Sequence, residues 1–329
     1  MKIGKKLVLF LLGILLLTGC AKPNEQIQKT GLHLNTVIQV TLYDAAQEPL
    51  LEECFRMADE YEQMLSATVE GSDVWNINHN GHKGVLVKDE TGYLLEQALG
   101  YAKQTNGAVD PTIGAVSTLW DFSSEKKERE VPNADLIKQA CTYIGYDKVI
   151  FTKQAEGYLV KTTDENVRVD LGFIAKGYIA DKMKEYLLEN HVEHGIINLG
   201  GNILTIGAKP TGDLFSIGIK KPFSENGETI TNISVKDKSV VSSGIYERYF
   251  EKEDKLYHHI LDTETGYPIE NDVYHVTIVS ESSMQGDALS TACLVLGKDK
   301  GMELIEQTPD CEAIFITNTY EIYKTSGLK

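Results

Sequence analysis

Two short segments combine residue types that could bind a phosphate group or a metal ion. The first is DLGFIAKG at residues 170–177, where a strand is predicted to end at Asp170 and a helix to begin a few residues later. Unpaired N–H groups at a helix N-terminus attract anions, and Lys176 in the first turn would add a positive charge. The segment could therefore hold phosphate oxygens, although a solvated lysine after an ordinary turn gives the same pattern.

The second segment offers oxygen ligands for a metal ion. Asp287 and Thr291 lie four residues apart on a predicted helix and therefore on one face of it. A carboxylate and a hydroxyl suit Mg²⁺, which completes its octahedron with waters and substrate phosphates. Spacing alone favours a simpler interpretation, a helix cap with a helix-facing threonine. Ser290 projects from a neighbouring face and is the weaker candidate ligand.

Other motifs mainly limit the classes of function. The double glycine Gly200-Gly201 would allow a flat ligand to approach the backbone closely, or it could mark a bulge in a strand pair. His258 and His259 are adjacent on a predicted strand and would face opposite ways, which argues against a zinc pair. The sequence has no GxSxG, Walker A or HExxH motif, so hydrolase, P-loop and zincin classes lack their main support.

The elements that would position these residues follow from hydrophobic periodicity. Helices are predicted over 50–65, 91–105, 133–143, 174–190, 284–297 and 299–307. Strands are predicted over 33–42, 149–151, 158–160, 167–169, 196–199, 203–206, 215–219, 230–235, 239–241, 274–279, 312–316 and 320–324. Residues 72–82 are polar and are predicted to form a loop or turn. Because strands and helices come in runs, we expect an α+β fold.

Composition is that of a globular protein with a sizeable core. The chain has 329 residues, of which 42% are hydrophobic and 24% charged. With 48 acidic and 32 basic residues its formal charge is −16, which argues against nucleic-acid binding because little is available to neutralise phosphates. The four cysteines beyond residue 20 form no CxxC pair, so we expect them to be buried small hydrophobes.

The N-terminal residues have the pattern of a lipoprotein signal. Lys2, Lys5 and Lys6 precede an apolar run, and Leu-Thr-Gly-Cys follows at 17–20. We expect residues 1–19 to be a signal peptide removed before Cys20, and Cys20 to be acylated; a simple transmembrane anchor is the alternative. Loss of three lysines would change the charge from −16 to −19. Residues 20–30 are predicted to be a polar tether.

Six ordered segments resemble the FAD:protein FMN transferase (ApbE) family. They are DPTIG at 110–114 followed by LWDF at 119–122, DLGFIAKGYIAD at 170–181, INLGGNI at 197–203, SSGIYERYF at 242–250, HHILDTETGYP at 258–268 and GDALSTACLVLG at 286–297. Their order and spacing agree over residues 31–329. The resemblance implies one transferase domain over 31–329, with an ApbE-like fold of mixed or antiparallel sheets flanked by helices.

The resemblance also implies an activity. Members use Mg²⁺ and FAD to transfer FMN onto a threonine hydroxyl of a target flavoprotein, and they release AMP. The expected acceptors are extracytoplasmic electron-transport proteins, and the expected location is outside the cytoplasm, lipid-anchored to the bacterial cell membrane. Two alternatives remain open: an FAD pyrophosphatase that produces FMN and AMP, and a non-catalytic flavin-binding lipoprotein.

Site residues are implied position by position. The metal ligands would be the side chains of Asp287 and Thr291 and the carbonyl of Phe173, where most relatives have a small residue; Asp287 and Lys176 would be catalytic, and Asp287 or a metal-bound group is the nearest candidate base. The FAD contacts would be Leu34, Thr68, Ala108, Val109, Asp110, Asp170, Lys176, His259 and Leu261. Leu34 stands where many relatives carry methionine, and Thr68 where an aromatic side chain often packs on the flavin.

Overall fold

An eight-stranded antiparallel sheet organises the computed structural model, which describes residues 23–122 and 129–328. Its strand order is β1-β2-β6-β7-β10-β13-β14-β15. These strands are β1 (Pro23–His33), β2 (Thr36–Asp44), β6 (Gly195–Leu199), β7 (Asn202–Ile206), β10 (Ser239–Gly244), β13 (Val273–Ser280), β14 (Glu312–Thr317) and β15 (Ile322–Lys324).

Three small antiparallel sheets complete the strands of the described ranges. They are β3 (Val85–Val87), β5 (Gly157–Thr162) and β4 (Val149–Gln154) in that spatial order; β8 (Phe215–Lys220) with β9 (Thr229–Val235); and β11 (Tyr249–Lys252) with β12 (Lys255–His258). The strand predicted at 167–169 is reduced to a single parallel bridge between Ile113 and Arg168.

The described helices are α1 (Glu48–Leu65), α2 (Asp73–Asn80), α3 (Asp89–Gln104), α4 (Gly114–Trp120), α5 (Ala134–Cys141), α6 (Ala175–Glu189) and α7 (Ser283–Glu306). Short 3-10 turns occupy Ala45–Gln47, Gly81–Lys83 and Tyr146–Lys148. None of these helices is both long and apolar enough to cross a membrane.

The core lies between the central sheet and its helices. Ile38 and Val40 of β2 are fully buried against the same apolar cluster as Leu51 of α1 and Met183 of α6. Leu289 of α7 belongs to a second cluster with residues of β13 and β14. Helices α6 and α7 also pack against each other, so two of the predicted site motifs meet beside the sheet.

The α+β fold class predicted from the sequence is confirmed, and most predicted elements appear within a few residues of their expected bounds. The predicted helices at 284–297 and 299–307 are confirmed: they are the two parts of α7, separated by a kink at Gly297, where φ is 75° and the backbone is not helical. The predicted strand at 33–42 is β2, which begins at Thr36 because Leu34 and Asn35 form a turn in which both have positive φ.

The loop predicted over 72–82 is wrong, because the segment forms α2. Ser72 caps this helix by accepting a hydrogen bond from the backbone N–H of Trp75, and Val74 and Ile77 are buried. The tether predicted over 20–30 is also wrong from Pro23 onward, where β1 pairs with β2. An edge strand is held by backbone hydrogen bonds, so it needs no apolar alternation. The predicted signal peptide and Cys20 lie outside the described residues.

Candidate functional site

Helices α6 and α7 approach each other closely at Gly177, in the first turn of α6. A Cβ atom on Gly177 would lie 2.2 Å from the carbonyl oxygen of Ser283. The N–H groups of a first helical turn have no partner inside their own helix. With no side chain in the way, the Gly177 N–H donates a 2.9 Å hydrogen bond to Oδ2 of Asp287. Asp287 therefore caps α6, although it belongs to α7.

The other carboxylate oxygen of Asp287 faces Lys176. Lys176 Nζ lies 3.3 Å from Asp287 Oδ1 and also donates a 3.4 Å hydrogen bond to the carbonyl of Gly172. Asp287 is 2% exposed, so its charge is compensated by this ammonium and by the Gly177 N–H rather than by water. The structure thus brings together the two residues predicted to be catalytic.

Thr291 lies one turn beyond Asp287, as the spacing predicts. Its hydroxyl is 3.3 Å from the hydroxyl of Ser243 on β10. The cap of α7 is Ser282, whose hydroxyl accepts the Gln285 N–H. The alternative in which Asp287 caps its own helix and Thr291 faces that helix is therefore wrong.

The third predicted metal ligand is the backbone carbonyl of Phe173. In a continuing α-helix this carbonyl would accept the N–H of Gly177. Asp287 takes that N–H instead, and no described residue donates a hydrogen bond to the Phe173 carbonyl. A carboxylate, a hydroxyl and an unpaired carbonyl are hard oxygen donors, and this set fits the requirements of Mg²⁺.

Asp181 fixes the start of α7 against α6. Its carboxylate accepts hydrogen bonds from Ser282 Oγ, at 2.7 Å, and from the N–H groups of Ser283 and Met284, at 2.8 and 2.9 Å. Burial raises the pKa of Asp181, and these three hydrogen bonds oppose that shift. Sequence reasoning did not single out Asp181, although it is the last residue of the 170–181 motif.

The 107–114 segment meets the other end of that motif. The Asp170 N–H donates a 2.7 Å hydrogen bond to the Pro111 carbonyl, and Ser117 Oγ donates to Asp170 Oδ2 at 3.2 Å. Asp110 is buried, and its Oδ1 accepts from both the N–H and the hydroxyl of Thr112. Burial raises the pKa of Asp110. Its side chain thus holds the turn through Oδ1.

Like Asp110, Val109 and Leu261 are buried. Val109 is 4% exposed and Leu261 is 6% exposed, whereas Ala108 is half-buried. Leu261 forms an antiparallel bridge with Pro268. These three residues can offer backbone groups and a closely packed wall to a ligand, and their predicted FAD contacts stay predictions.

β12 ends at His258, and the side chains of His258 and His259 contact different carbonyl groups. His258 Nε2 lies 3.2 Å from the Ile269 carbonyl, and His259 Nδ1 lies 3.2 Å from the Arg248 carbonyl. Burial lowers the pKa of His258 to about 4 and that of His259 to about 3, and the charge of Arg248 adds to the second shift. Both imidazoles are therefore neutral at pH 7.

Glu247 is close enough to Lys176 and Asp287 for their charges to affect it, although sequence reasoning did not name it. Glu247 is exposed at the surface, yet the protein atoms near it displace part of its water and raise its pKa to about 7. The nearby positive charges of Lys176 and Arg248 oppose this rise, and the negative charge of Asp287 adds to it. The sequence feature that could have pointed to Glu247 is its position in the SSGIYERYF segment at 242–250.

Leu34 and Thr68 lie on other elements than Lys176 and Asp287. The Leu34 N–H donates a 3.1 Å hydrogen bond to Glu62 Oε2, and Thr68 is exposed in the turn after α1. Leu34 packs against the same core cluster as Phe173. Within the described ranges, neither Leu34 nor Thr68 forms a hydrogen bond or an ion pair with Lys176 or Asp287. The Gly200 N–H donates to the Val37 carbonyl, so the double glycine lies beside the β1–β2 turn that carries Leu34.

The chain is similar to one family throughout most of its length. A model described as the ApbE family matches residues 34–315. The chain is 33% identical over 339 residues to the FAD:protein FMN transferase of Treponema pallidum (strain Nichols), covering 98% of this chain and 92% of that protein. It is 34% identical over 310 residues to the FAD:protein FMN transferase of Klebsiella pneumoniae (strain 342), covering 92% and 93%.

Solved structures agree with this similarity. The ApbE protein of Thermotoga maritima MSB8 superposes with a TM-score of 0.84 at 30% identity, covering 92% of this chain and 98% of that chain. The flavin transferase ApbE from Vibrio cholerae superposes with a TM-score of 0.81 at 26% identity, with the same coverage of both chains.

Proposed function

The chain belongs to the ApbE family, and we propose that it is an FAD:protein FMN transferase. It would transfer FMN from FAD onto a threonine hydroxyl of a target flavoprotein and release AMP. The observation that carries this proposal is the contact between Lys176 and Asp287, which come from motifs 111 residues apart and meet at the start of α6. A storage protein for flavin would have no need for this buried charge pair.

Chemically, the reaction exchanges the phosphoanhydride bond of FAD for a phosphate ester to threonine. The threonine oxygen forms a bond to the FMN phosphorus, the P–O bond to the AMP phosphate breaks, and the threonine proton passes to a base. Negative charge develops on the departing AMP phosphate. Lys176 would offset that charge, and the N-terminus of α6 would add the partial positive charge of its free N–H groups. Asp287 or a metal-bound group is the nearest candidate for the base.

Mg²⁺ is part of this proposal. The Asp287 carboxylate, the Thr291 hydroxyl and the Phe173 carbonyl would hold it. When bound, the ion would supply positive charge at the diphosphate oxygens of FAD. The Gly177 N–H and Lys176 would keep the Asp287 carboxylate oriented in its buried position.

We also propose that the protein is anchored outside the cytoplasm through acylated Cys20. The support is the basic, apolar and Leu-Thr-Gly-Cys pattern of residues 1–20. The reaction partners would then be FAD and an exported flavoprotein. Incorporation of labelled palmitate into the full chain, and its loss in Cys20→Ala, would test the anchor.

The transfer itself is tested with residues 20–329, FAD, Mg²⁺ and an acceptor flavoprotein domain that carries the target threonine. We expect covalent FMN on the acceptor by mass spectrometry and an equal amount of AMP, with no labelling when the acceptor threonine is changed to valine. Free FMN without labelling would instead indicate a pyrophosphatase. Binding of FAD without any product would indicate a flavin carrier.

A variant at the metal ligand links this activity to the site. Asp287→Ala should abolish AMP release while much of the FAD binding remains, because the flavin contacts lie on other elements. Turnover that survives this change would show that the assigned site is wrong.

A further inference from the structure

Three hydroxyl groups form a chain where α7 packs on β10. Ser243 Oγ lies 2.8 Å from Ser290 Oγ and 3.3 Å from Thr291 Oγ1. Ser290 Oγ in turn donates a 3.0 Å hydrogen bond to the carbonyl of Asp287. Ser290 and Ser243 are buried, at 0% and 9% exposure, so water cannot readily replace these partners.

Close packing of α7 brings these groups into contact. Gly286 has no side chain, and a Cβ atom there would lie 2.9 Å from Cγ2 of Val241. Val241 and Ser243 are on the same face of β10, because alternate residues of a strand share a face. The helix can therefore approach β10 closely enough for Ser243 to touch both Ser290 and Thr291.

Counting the hydroxyl protons fixes the direction in which these three groups donate their hydrogen bonds. Each hydroxyl has one proton to donate and two lone pairs. Ser290 uses its proton on the Asp287 carbonyl, so it must accept from Ser243. Ser243 then has no proton left, so it must accept from Thr291. Thr291 therefore donates its only proton to Ser243 and keeps both lone pairs free.

We propose that Ser243 and Ser290 are positioning residues that turn the Thr291 hydroxyl into a metal ligand. Ser243 accepts the threonine proton on the side of β10, so the lone pairs of Thr291 face away from it and are available to Mg²⁺. This inference rests on the metal site of the proposed function. Sequence reasoning treated Ser290 as a weaker ligand candidate. The structure instead places it at the end of the hydrogen-bond relay from Thr291 through Ser243 to Ser290.

The inference predicts a graded series of metal affinities. Ser243→Ala removes the acceptor of the threonine proton and should weaken Mg²⁺ binding about 10–100-fold, the usual effect of losing a group that orients a ligand. Ser243→Thr keeps the hydroxyl and should restore most of the affinity. Ser290→Ala frees the Ser243 proton to point at Thr291, so it should also weaken binding, but less than Ser243→Ala.

The measurement is Mg²⁺ titration of residues 20–329 without FAD, by calorimetry and by the Mg²⁺-dependent rise in Tm. It does not depend on turnover. Ser242→Ala is the matched control, since Ser242 is the next residue on β10 and its hydroxyl bonds Thr277, at 2.9 Å, on the other face of the sheet. This variant also loses one hydroxyl contact and should bind Mg²⁺ with the affinity of the unmodified chain. Asp287→Asn and Thr291→Val serve as references for loss of the site.

The outcomes separate this inference from the proposed function. Weaker binding in Ser243→Ala and Ser290→Ala, with normal binding in Ser242→Ala, would support the relay. Normal binding in Ser243→Ala together with lost binding in Asp287→Asn would overturn the relay and leave the metal site intact. Normal Mg²⁺ binding in Asp287→Asn and Thr291→Val would overturn the metal site itself.

Discussion

The Gly177 N–H and the Asp287 carboxylate are joined by a 2.9 Å hydrogen bond that crosses from α6 to α7. This single bond caps one helix with a side chain of another. The same carboxylate faces Lys176 through its second oxygen. The packing of the two helices and the electrostatics of the site therefore depend on the same residue.

The first prediction concerns Gly177. Gly177→Ala would place a Cβ atom 2.2 Å from the Ser283 carbonyl, so α7 must move away from α6. We expect a loss of about 1–3 kcal/mol in the free energy of unfolding, as is usual for overpacking. Displacement of Asp287 should lower the transfer rate as well. Urea denaturation and the FMN transfer assay measure the two effects.

Gly100→Ala is the control for this change. Gly100 is exposed within α3, and nothing lies within 4 Å of an added Cβ atom. Alanine there should stabilise the protein by about 0.4–1 kcal/mol and leave transfer unchanged. Equal behaviour of the two alanine variants would show that α6 and α7 tolerate separation.

The second prediction compares the effects of two helix caps on stability and on Mg²⁺ affinity. Asp181→Ala removes three hydrogen bonds at the start of α7, and Asn133→Ala removes the cap of α5. Both should lower the free energy of unfolding, by about 1–3 kcal/mol and about 1 kcal/mol respectively. Only Asp181→Ala should also lower Mg²⁺ affinity, because α7 carries Asp287. A calorimetric titration that gives equal affinities for the two variants would contradict this role of Asp181.

The third prediction concerns Phe173, whose ring is half-buried against the main core cluster. Phe173→Ala should cost about 1–2 kcal/mol of stability through lost packing. Mg²⁺ affinity should stay within about twofold, because the proposed ligand is the backbone carbonyl and the side chain contributes only packing. Loss of metal binding in a variant that remains folded would show that the ring itself shapes the site.

The fourth prediction is a pH dependence of stability that involves His275. This imidazole is fully buried between Tyr246 Oη, 2.8 Å from Nδ1, and Thr277 Oγ1, 2.7 Å from Nε2. Burial lowers the pKa of His275 from 6.5 to about 3. Between these values the unfolded chain binds a proton that the folded chain does not, so stability falls as pH falls from 6.5 toward 3.

His275→Asn removes this titration together with the two hydrogen bonds. The variant should be less stable at pH 7, and its deficit should shrink as the pH is lowered, by up to about 1.4 kcal/mol per pH unit. Urea denaturation at pH 7, 6 and 5 measures the difference. His191→Asn, at an exposed position, controls for the removal of a histidine. A constant deficit for His275→Asn at all three pH values would contradict the prediction.

Local patterns predicted most of the fold. Apolar spacing identified α1, α3, α6 and most strands, because each of these elements buries a regular face. Local patterns failed where other forces hold the chain. β1 is an edge strand that backbone pairing maintains, and α2 is a short helix that depends on Ser72 and two buried residues.

The site was predicted in a similar, partial way. The spacing of Asp287 and Thr291 predicted that they share a helix face, although it favoured a helix cap over a metal site. The sequence did not show which residues would contact them. Lys176 contacts Asp287 and Ser243 contacts Thr291 only because α6, α7 and β10 pack together. Asp181 and Ser243 were inside quoted motifs, yet their roles depend on hydrogen bonds that a linear sequence does not display.

The separation of Lys176 from Asp287 by 111 residues has a consequence for biosynthesis. A ribosome completes α6 long before it reaches α7, and until then the lysine and the first-turn amides have no carboxylate to meet. A fragment that stops before residue 283 would lack Asp287, Thr291 and the packing of α7 against α6. Truncated or prematurely cleaved copies should therefore have no transferase activity rather than partial activity.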